Sequence, residues 1–201
     1  MSSYGRTFKP FDIGPFTIIP EGEPLPPGCG TPLFLGKKGA FGSGEHETTA
    51  ACLEFMAGMG DLAAMRALDL GSGTGILAIA AARLGAASIV AIDIDWQAAV
   101  SGVDNIRLND MESRIATVCG ELSCLSEATF ELVLANIYAD IHLMLAGNMV
   151  AMTAPGGTLI LSGIPLQDKF DVQRAFLNAG CELVDSRIGE EFATYLMRKP
   201  A

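Results

Sequence analysis

Basic residues are scarce in this chain. Thirteen lysines and arginines face 23 aspartates and glutamates, a formal net charge of −10 over 201 residues. Nucleic acid is densely negative, and its binders carry a basic face. The acidic balance therefore counts against direct nucleic-acid binding and fits a cationic partner such as a lysine-bearing protein. Long hydrophobic runs are missing too. No apolar stretch reaches the roughly 18 residues that read as a membrane span, so no membrane partner is expected. Met1 to Pro10 hold no apolar signal core, and the sequence reads as cytoplasmic. The five cysteines (Cys29, Cys52, Cys119, Cys124, Cys181) are odd in number, scattered and without C-x-x-C spacing. That argues against a disulfide framework and against a zinc site. With only His46 and His142 to complete a ligand set, no metal is expected. Repeats and low-complexity segments are absent as well.

Apolar residues are plentiful. They make up 50% of the chain, against 18% charged, as in a packed globular core. The length suits one α/β domain. Residues 1–35 hold most of the ten prolines. Phe16 to Ile19 suggests a short strand there, and the remainder of this segment reads as an extended arm or linker packed on the main domain.

The chain turns on Leu68-Asp69-Leu70-Gly71-Ser72-Gly73-Thr74-Gly75-Ile76-Leu77. A short apolar run from Ala67 to Leu70 ends in three alternate glycines, and an alanine-rich helical pattern covers Ile76 to Leu84. The pattern predicts strand, tight loop, helix. Glycines let the backbone turn sharply and come close to a ligand, and the helix opens with unpaired N–H groups. The dinucleotide fingerprint is G-x-G-x-x-G; here the spacing is G-x-G-x-G, wrong for a plain NAD-dependent oxidoreductase. A second strand, Ser88 to Asp93, ends in an acid placed to accept both hydroxyls of a ribose.

The remaining elements can be placed in chain order. Helices are expected over Thr48–Met59 (capped by Thr48 or Thr49), Trp96–Asn109 (capped by Asp95), Ala139–Met152 and Gln167–Ala179. Strands are expected over Ile115–Val118, Glu131–Ala135 and Thr158–Ser162, the last after a Pro155-Gly156-Gly157 turn. Cys181–Ile188 and Glu191–Arg198 have no helix between them, so an antiparallel closing pair is expected. Asn136 falls just past the end of its strand, where open α/β sheets bind ligands. Its bland alternative is capping the helix near Asp140. Tyr138 reads equally as a channel wall or a packing residue. His142 reads as structural, and Glu121 more as a solvated loop acid than a ligand group.

The loop with an acid ending the next strand resembles the class I S-adenosylmethionine-dependent methyltransferases. A narrower resemblance rests on Phe41-Gly42-x-Gly44-x-His46-x-Thr48-Thr49, Ala135-Asn136-Ile137 and Leu161-Ser162-Gly163-Ile164. Together these are similar to the bacterial methyltransferases of large-subunit ribosomal protein eleven (PrmA-type), over about residues 35 to 199. The resemblance implies a doubly wound α/β fold with a seven-stranded, mostly parallel sheet in the order 3-2-1-4-5-7-6 and an antiparallel C-terminal strand. It implies an arm over 1–35 and a methyltransferase domain over 36–201. It implies S-adenosyl-L-methionine as methyl donor, S-adenosyl-L-homocysteine as product, and an amine of a protein, possibly a large-subunit ribosomal protein, as acceptor. Thr49, Asp69, Gly71, Gly73, Asp93 and Asn136 take the methyl-donor site by resemblance, and Asn136 the catalytic role.

Two departures stand out. The family carries an N-terminal recognition domain where this sequence has a short arm. Its loop usually reads Gly-Thr-Gly-Thr-His-Pro-Thr-Thr, whereas Ser43, Glu45 and Glu47 intervene here. Glu45 or Glu47 is expected to attract an incoming lysine. Small-molecule methylation, and a non-catalytic subunit that binds the methyl donor, stay open as alternatives.

Overall fold

The structure is a computed structural model and describes residues 8–36, 46–125 and 128–201. The chain opens with β1 (Phe11–Ile13), β2 (Phe16–Pro20) and β3 (Thr31–Leu35), which form a three-stranded sheet in that order. The sequence suggested one strand here. Proline density hid the others: β3 pairs only with β2, so Pro32 sits on an edge, where a missing N–H costs little. Ile13, Phe16, Ile18, Leu33 and Leu35 are buried in the same apolar cluster as the first helices of the main layer.

The main layer is built from α1 (Glu47–Gly58), β4 (Arg66–Leu70), α2 (Ile76–Arg83), β5 (Ser88–Asp93), α3 (Trp96–Leu108) and β6 (Ile115–Cys119). After a 3-10 turn at Leu122–Leu125 come β7 (Phe130–Asn136), α4 (Ala139–Met152), β8 (Thr153–Pro165), α5 (Lys169–Asn178), β9 (Glu182–Ile188) and β10 (Phe192–Arg198). The seven-stranded sheet runs β6-β5-β4-β7-β8-β10-β9, with β10 antiparallel to both neighbours. Counting from β4, that is the expected order 3-2-1-4-5-7-6.

Strand alternation builds both faces of the core. Side chains two apart share a face, so Ala67, Leu132, Leu134 and Ile160 point to one cluster. Leu68, Leu70, Val133, Ala135, Leu159 and Leu161 point to the other. Residues of α1, α2 and α3 join the first cluster, and residues of α4 and α5 the second. Central strands buried on both faces explain the near-continuous apolar runs in the sequence. Each buried Leu or Ile contributes about 1.5–3 kcal/mol. Alanines at 78, 80, 81 and 82 let α2 lie close on the sheet, and all are buried.

Strand β8 starts earlier than the sequence suggested. Its pairing with β7 skips from Phe130↔Thr153 to Leu132↔Thr158, so the Pro155-Gly156-Gly157 turn is a bulge inside the strand.

The order of strands reverses between β4 and β7. Crevices at such a switch point, beyond the carboxyl ends of the strands, are where open α/β sheets bind ligands. The glycine loop leaves β4 there, and Asn136 leaves β7.

Candidate functional site

The loop after β4 is pinned to β5. Gly71 and Ser72 donate their N–H groups to the Ile92 carbonyl at 2.8 and 3.1 Å. Gly71, Gly73 and Gly75 all have positive φ, a region that L side chains rarely adopt. At Gly71 a Cβ would also run into the Ile137 side chain just past β7. Part of the need for glycine is therefore internal: it lets the two strand ends meet.

Asp93 closes the loop from the next strand. Its carboxylate accepts from Gly73 N and from Asp95 N, both at 2.9 Å. Each oxygen keeps a lone pair for a further donor. An open cleft is lined by Gly71, Gly73, Asp93, Trp96 and Tyr138 among others, and Tyr138 is 77% exposed at its rim.

Asp69 sits beneath the loop, on the face that carries α2. Gly75 caps α2 without a side chain, and Asp69 supplies the missing acceptor, taking the Ala78 N–H at 3.0 Å. Burial pushes its pKa up from 3.8 to about 7; the Ala78 N–H opposes the shift and the Asp93 charge adds to it. The raised value sets the sign for stability. The folded state holds a proton that the unfolded chain has lost, so this contribution is full below about pH 4 and disappears as pH rises to about 7. Asn at this position keeps an acceptor for Ala78 but cannot ionise. Thermal unfolding of the parent and Asp69→Asn across pH 4–8 is expected to show the parent losing stability relative to the variant. The slope is up to about 1.4 kcal/mol per pH unit. Parallel curves would mean that Asp69 does not titrate in this range.

Asn136 ends β7 opposite Ser162 of β8. Its Nδ2 donates to Thr49 Oγ1 at 3.3 Å. Its Oδ1 is buried and has no hydrogen-bond partner among the described residues. An unpaired buried acceptor costs about 1–3 kcal/mol, which is a reason to expect a ligand. Asn136 does not cap α4; that place belongs to Tyr138, whose side chain makes no capping bond. Gly163 (φ +75) leaves room for the turn: a Cβ there would stand 2.5 Å from Ile137 O and 3.1 Å from Asn136 Oδ1.

A buried polar seam holds the Asn136 side of the site. Ser162 Oγ donates to Thr48 O at 3.2 Å and lies 2.6 Å from Thr194 Oγ1. The Ser162 carbonyl accepts from Ile137 N at 3.2 Å and lies 2.9 Å from His142 Nε2. His142 is fully buried, and burial lowers its pKa to about 4 against the Ser162 bond that raises it. It is neutral at physiological pH and braces β8.

The start of α1 differs from the sequence-based expectation. Thr48 and Thr49 are buried inside the first turn. The cap is His46, whose Nδ1 accepts from Thr48 N at 3.4 Å and lies 2.9 Å from Thr48 Oγ1. Glu47 is not free to greet a lysine. Its carboxylate accepts from the amides of Glu190 (2.9 Å), Glu191 (3.0 Å) and Phe192 (3.0 Å). Burial raises its pKa, but the three amides and His46 outweigh that and hold it below the usual range. Glu45 and Ser43 lie outside the described residues. Glu121 is exposed on the loop after β6.

The structure thus brings the expected residues together in three layers. Gly71, Gly73 and Asp93 line the cleft, Asp69 supports it from below, and Thr49 and Asn136 pair beside it. The comparisons with known proteins meet this geometry. The family model for ribosomal protein L11 methyltransferase (PrmA) matches residues 2–200. The chain belongs to this family. A ribosomal protein L11 methyltransferase of Pelobacter propionicus is 38% identical, over 100% of this chain and 66% of its own length. One from Trichlorobacter lovleyi is 41% identical, over 87% of this chain and 59% of its own. The chain therefore spans about two thirds or less of these relatives. The crystal structure of a ribosomal protein L11 methylase from Lactobacillus delbrueckii subsp. bulgaricus has the same fold, with a TM-score of 0.87 at 24% identity, covering 98% of this chain and 100% of that one.

Several contributors to this region of the PrmA-family fold do not announce themselves in the sequence. Gly163 and Ser162 stand out there only as residues matching the family. Asn105 does not stand out at all. It is buried on α3, where its Nδ2 donates to Thr74 O at 2.9 Å and its Oδ1 accepts from Gly36 N at 2.8 Å. Asn109, one turn on, exchanges two hydrogen bonds with the Phe34 backbone. Two asparagines four apart on a helix face that is otherwise apolar were the available signal, because buried amides need partners.

Proposed function

We propose that the chain binds S-adenosyl-L-methionine at the β4–β7 switch point and transfers its methyl group to an amine nitrogen of ribosomal protein L11, on a lysine side chain or the N-terminus. The observation that carries this reading is Asn136 Oδ1, a buried, unpaired acceptor beside the glycine loop. The residues fit the methyl donor's chemistry. Asp93 keeps lone pairs for ribose hydroxyls, and the glycine loop admits close backbone approach. The family resemblance assigns Thr49 to the methionine portion.

The methyl donor supplies an activated methyl on a sulfonium, so the protein's task is chiefly positioning. A lysine at its ordinary pKa of about 10.4 is protonated at neutral pH. Desolvation beside the buried β7 end disfavours the ammonium. Asn136 Oδ1 accepts an N–H of the neutral amine and aims its lone pair, without the negative charge that would hold the proton on. The net acidic surface favours approach of a basic protein. No helix among the described residues is long and apolar enough to cross a membrane, and none of their side chains cluster as a metal site. The proposed transfer needs neither.

Calorimetric titration of S-adenosyl-L-methionine into the parent and Asp93→Ala tests the first half. The expected loss in the variant is at least about 1 kcal/mol, the scale of a hydrogen bond. Incubation with L11 and labelled methyl donor tests the second half. Binding without label in L11 would refute the acceptor, and no binding by a folded parent would refute the whole reading.

A further inference from the structure

We propose that Glu47 is a positioning residue for this reaction: its clasp on the β9–β10 turn fixes the first turn of α1, so that Thr49 Oγ1 accepts from Asn136 Nδ2. The inference rests on the function proposed above and assigns it a residue outside the cleft. Three successive amides, Glu190, Glu191 and Phe192, point at one carboxylate. Bonds to a charged acceptor are about twice as strong as neutral ones. Thr49 is two residues along the same helical turn, and its hydroxyl holds the Asn136 amide. Thr48 O is tied in turn to Ser162 Oγ. The C-terminal hairpin, remote in sequence, thereby sets the angle of the Asn136 carboxamide.

Glu47 is the first residue of α1, with His46 as its cap. Proline suits the first position of a helix, because its missing N–H is one the helix leaves unpaired anyway. Glu47→Pro therefore keeps α1 and removes only the clasp. Gly189 supplies a second handle. A Cβ there would meet the Glu47 carboxylate, yet Gly189 is not among the positive-φ glycines. Alanine at 189 therefore acts chiefly by displacing Glu47.

The test is a double-mutant cycle on Glu47→Pro and Gly189→Ala, with Glu47→Gln as a second removal of charge. Turnover on L11, the dissociation constant for S-adenosyl-L-methionine, and the Asn136 side-chain amide signals in a nitrogen–proton correlation spectrum are read for each. The expected result is a turnover roughly tenfold lower in Glu47→Pro, within the scale of an ångström-level misplacement. Affinity for the methyl donor falls by less than turnover does in the same comparison, and the Asn136 signals shift. Gly189→Ala lowers turnover in the parent but adds nothing to Glu47→Pro, since the two act through one contact. An active parent whose turnover and Asn136 signals are the same in both Glu47 variants overturns the proposal and leaves the function intact. A parent inactive on L11 overturns the function instead. The Asn136 signals then decide: shifted, they support the clasp; unshifted in both variants, they overturn it.

Discussion

Asn136→Ala is expected to lower turnover on L11 at least about a hundredfold, with a much smaller change in affinity for S-adenosyl-L-methionine. The scale is that of removing one preorganised hydrogen-bonding group from an active site, about 10²–10³ in rate. The reason lies in where its two polar atoms go. Nδ2 is already committed to Thr49 Oγ1 at 3.3 Å. Oδ1 is buried with no partner among the described residues, and the proposed function gives it the acceptor amine. On the proposed function, an incoming amine gains an acceptor there while its lone pair must be aimed.

Asn136→Asp sharpens the same argument. The shape is kept, but a carboxylate beside the amine favours the ammonium. Turnover is therefore expected to be low at neutral pH and to recover as pH rises, because higher pH supplies the neutral amine. Steady-state kinetics on L11 across pH 6.5–9.5 would read this. A parent-like pH profile in the Asp variant would mean that Asn136 does not meet the acceptor nitrogen.

The layers of this fold differ in how openly the sequence carries them. The sheet was legible because its strands are buried on both faces and its helices alternate with them. A run such as Ser88–Asp93 followed by a capped Trp96–Leu108 leaves few topologies. Asp95 indeed caps α3, taking the Gln97 N–H at 2.8 Å. The cleft residues were legible for a related reason: Gly71, Gly73 and Asp93 are local to strand ends, and spacing fixes them. The N-terminal sheet was harder to see. β2 and β3 pair across the ten residues 21–30, which are proline-rich, and prolines on an edge strand look like prolines in a linker.

Glu47 was misread because its partners are remote. A carboxylate at a helix start beside a glycine-rich loop suggests a charged site from sequence. Its actual ligands, the amides of 190–192, lie more than 140 residues away. Nothing local predicts that meeting. His46 as a helix cap was hidden for another reason: its partner Thr48 is local, but threonine is the commoner cap. Only the depth of Thr48 and Thr49 in the seam with Ser162 and Asn136 excludes them.

Gly163→Ala is expected to cost about 3 kcal/mol of stability and at least tenfold in turnover. Two terms add. The left-handed backbone at φ +75 costs a non-glycine residue about 1–2 kcal/mol. The new Cβ also falls 2.5 Å from Ile137 O and 3.1 Å from Asn136 Oδ1, and overpacking of that kind costs about 1–3 kcal/mol. Its neighbours include backbone at the end of β7, so the Asn136–Ile137 turn itself must move. Gly156→Ala provides the matched control. It lies in the same strand with the same φ of +75, but a Cβ there meets nothing within 4 Å. It bears the backbone term alone, about 1–2 kcal/mol, and leaves turnover unchanged. Urea unfolding at constant m-value and kinetics on both variants separate the terms. Equal losses of stability, with turnover intact in both, would show that the turn yields without disturbing Asn136. A selective loss in Gly163→Ala would tie the Asn136 carboxamide to a glycine in the neighbouring strand, whose side of the contact is a single hydrogen.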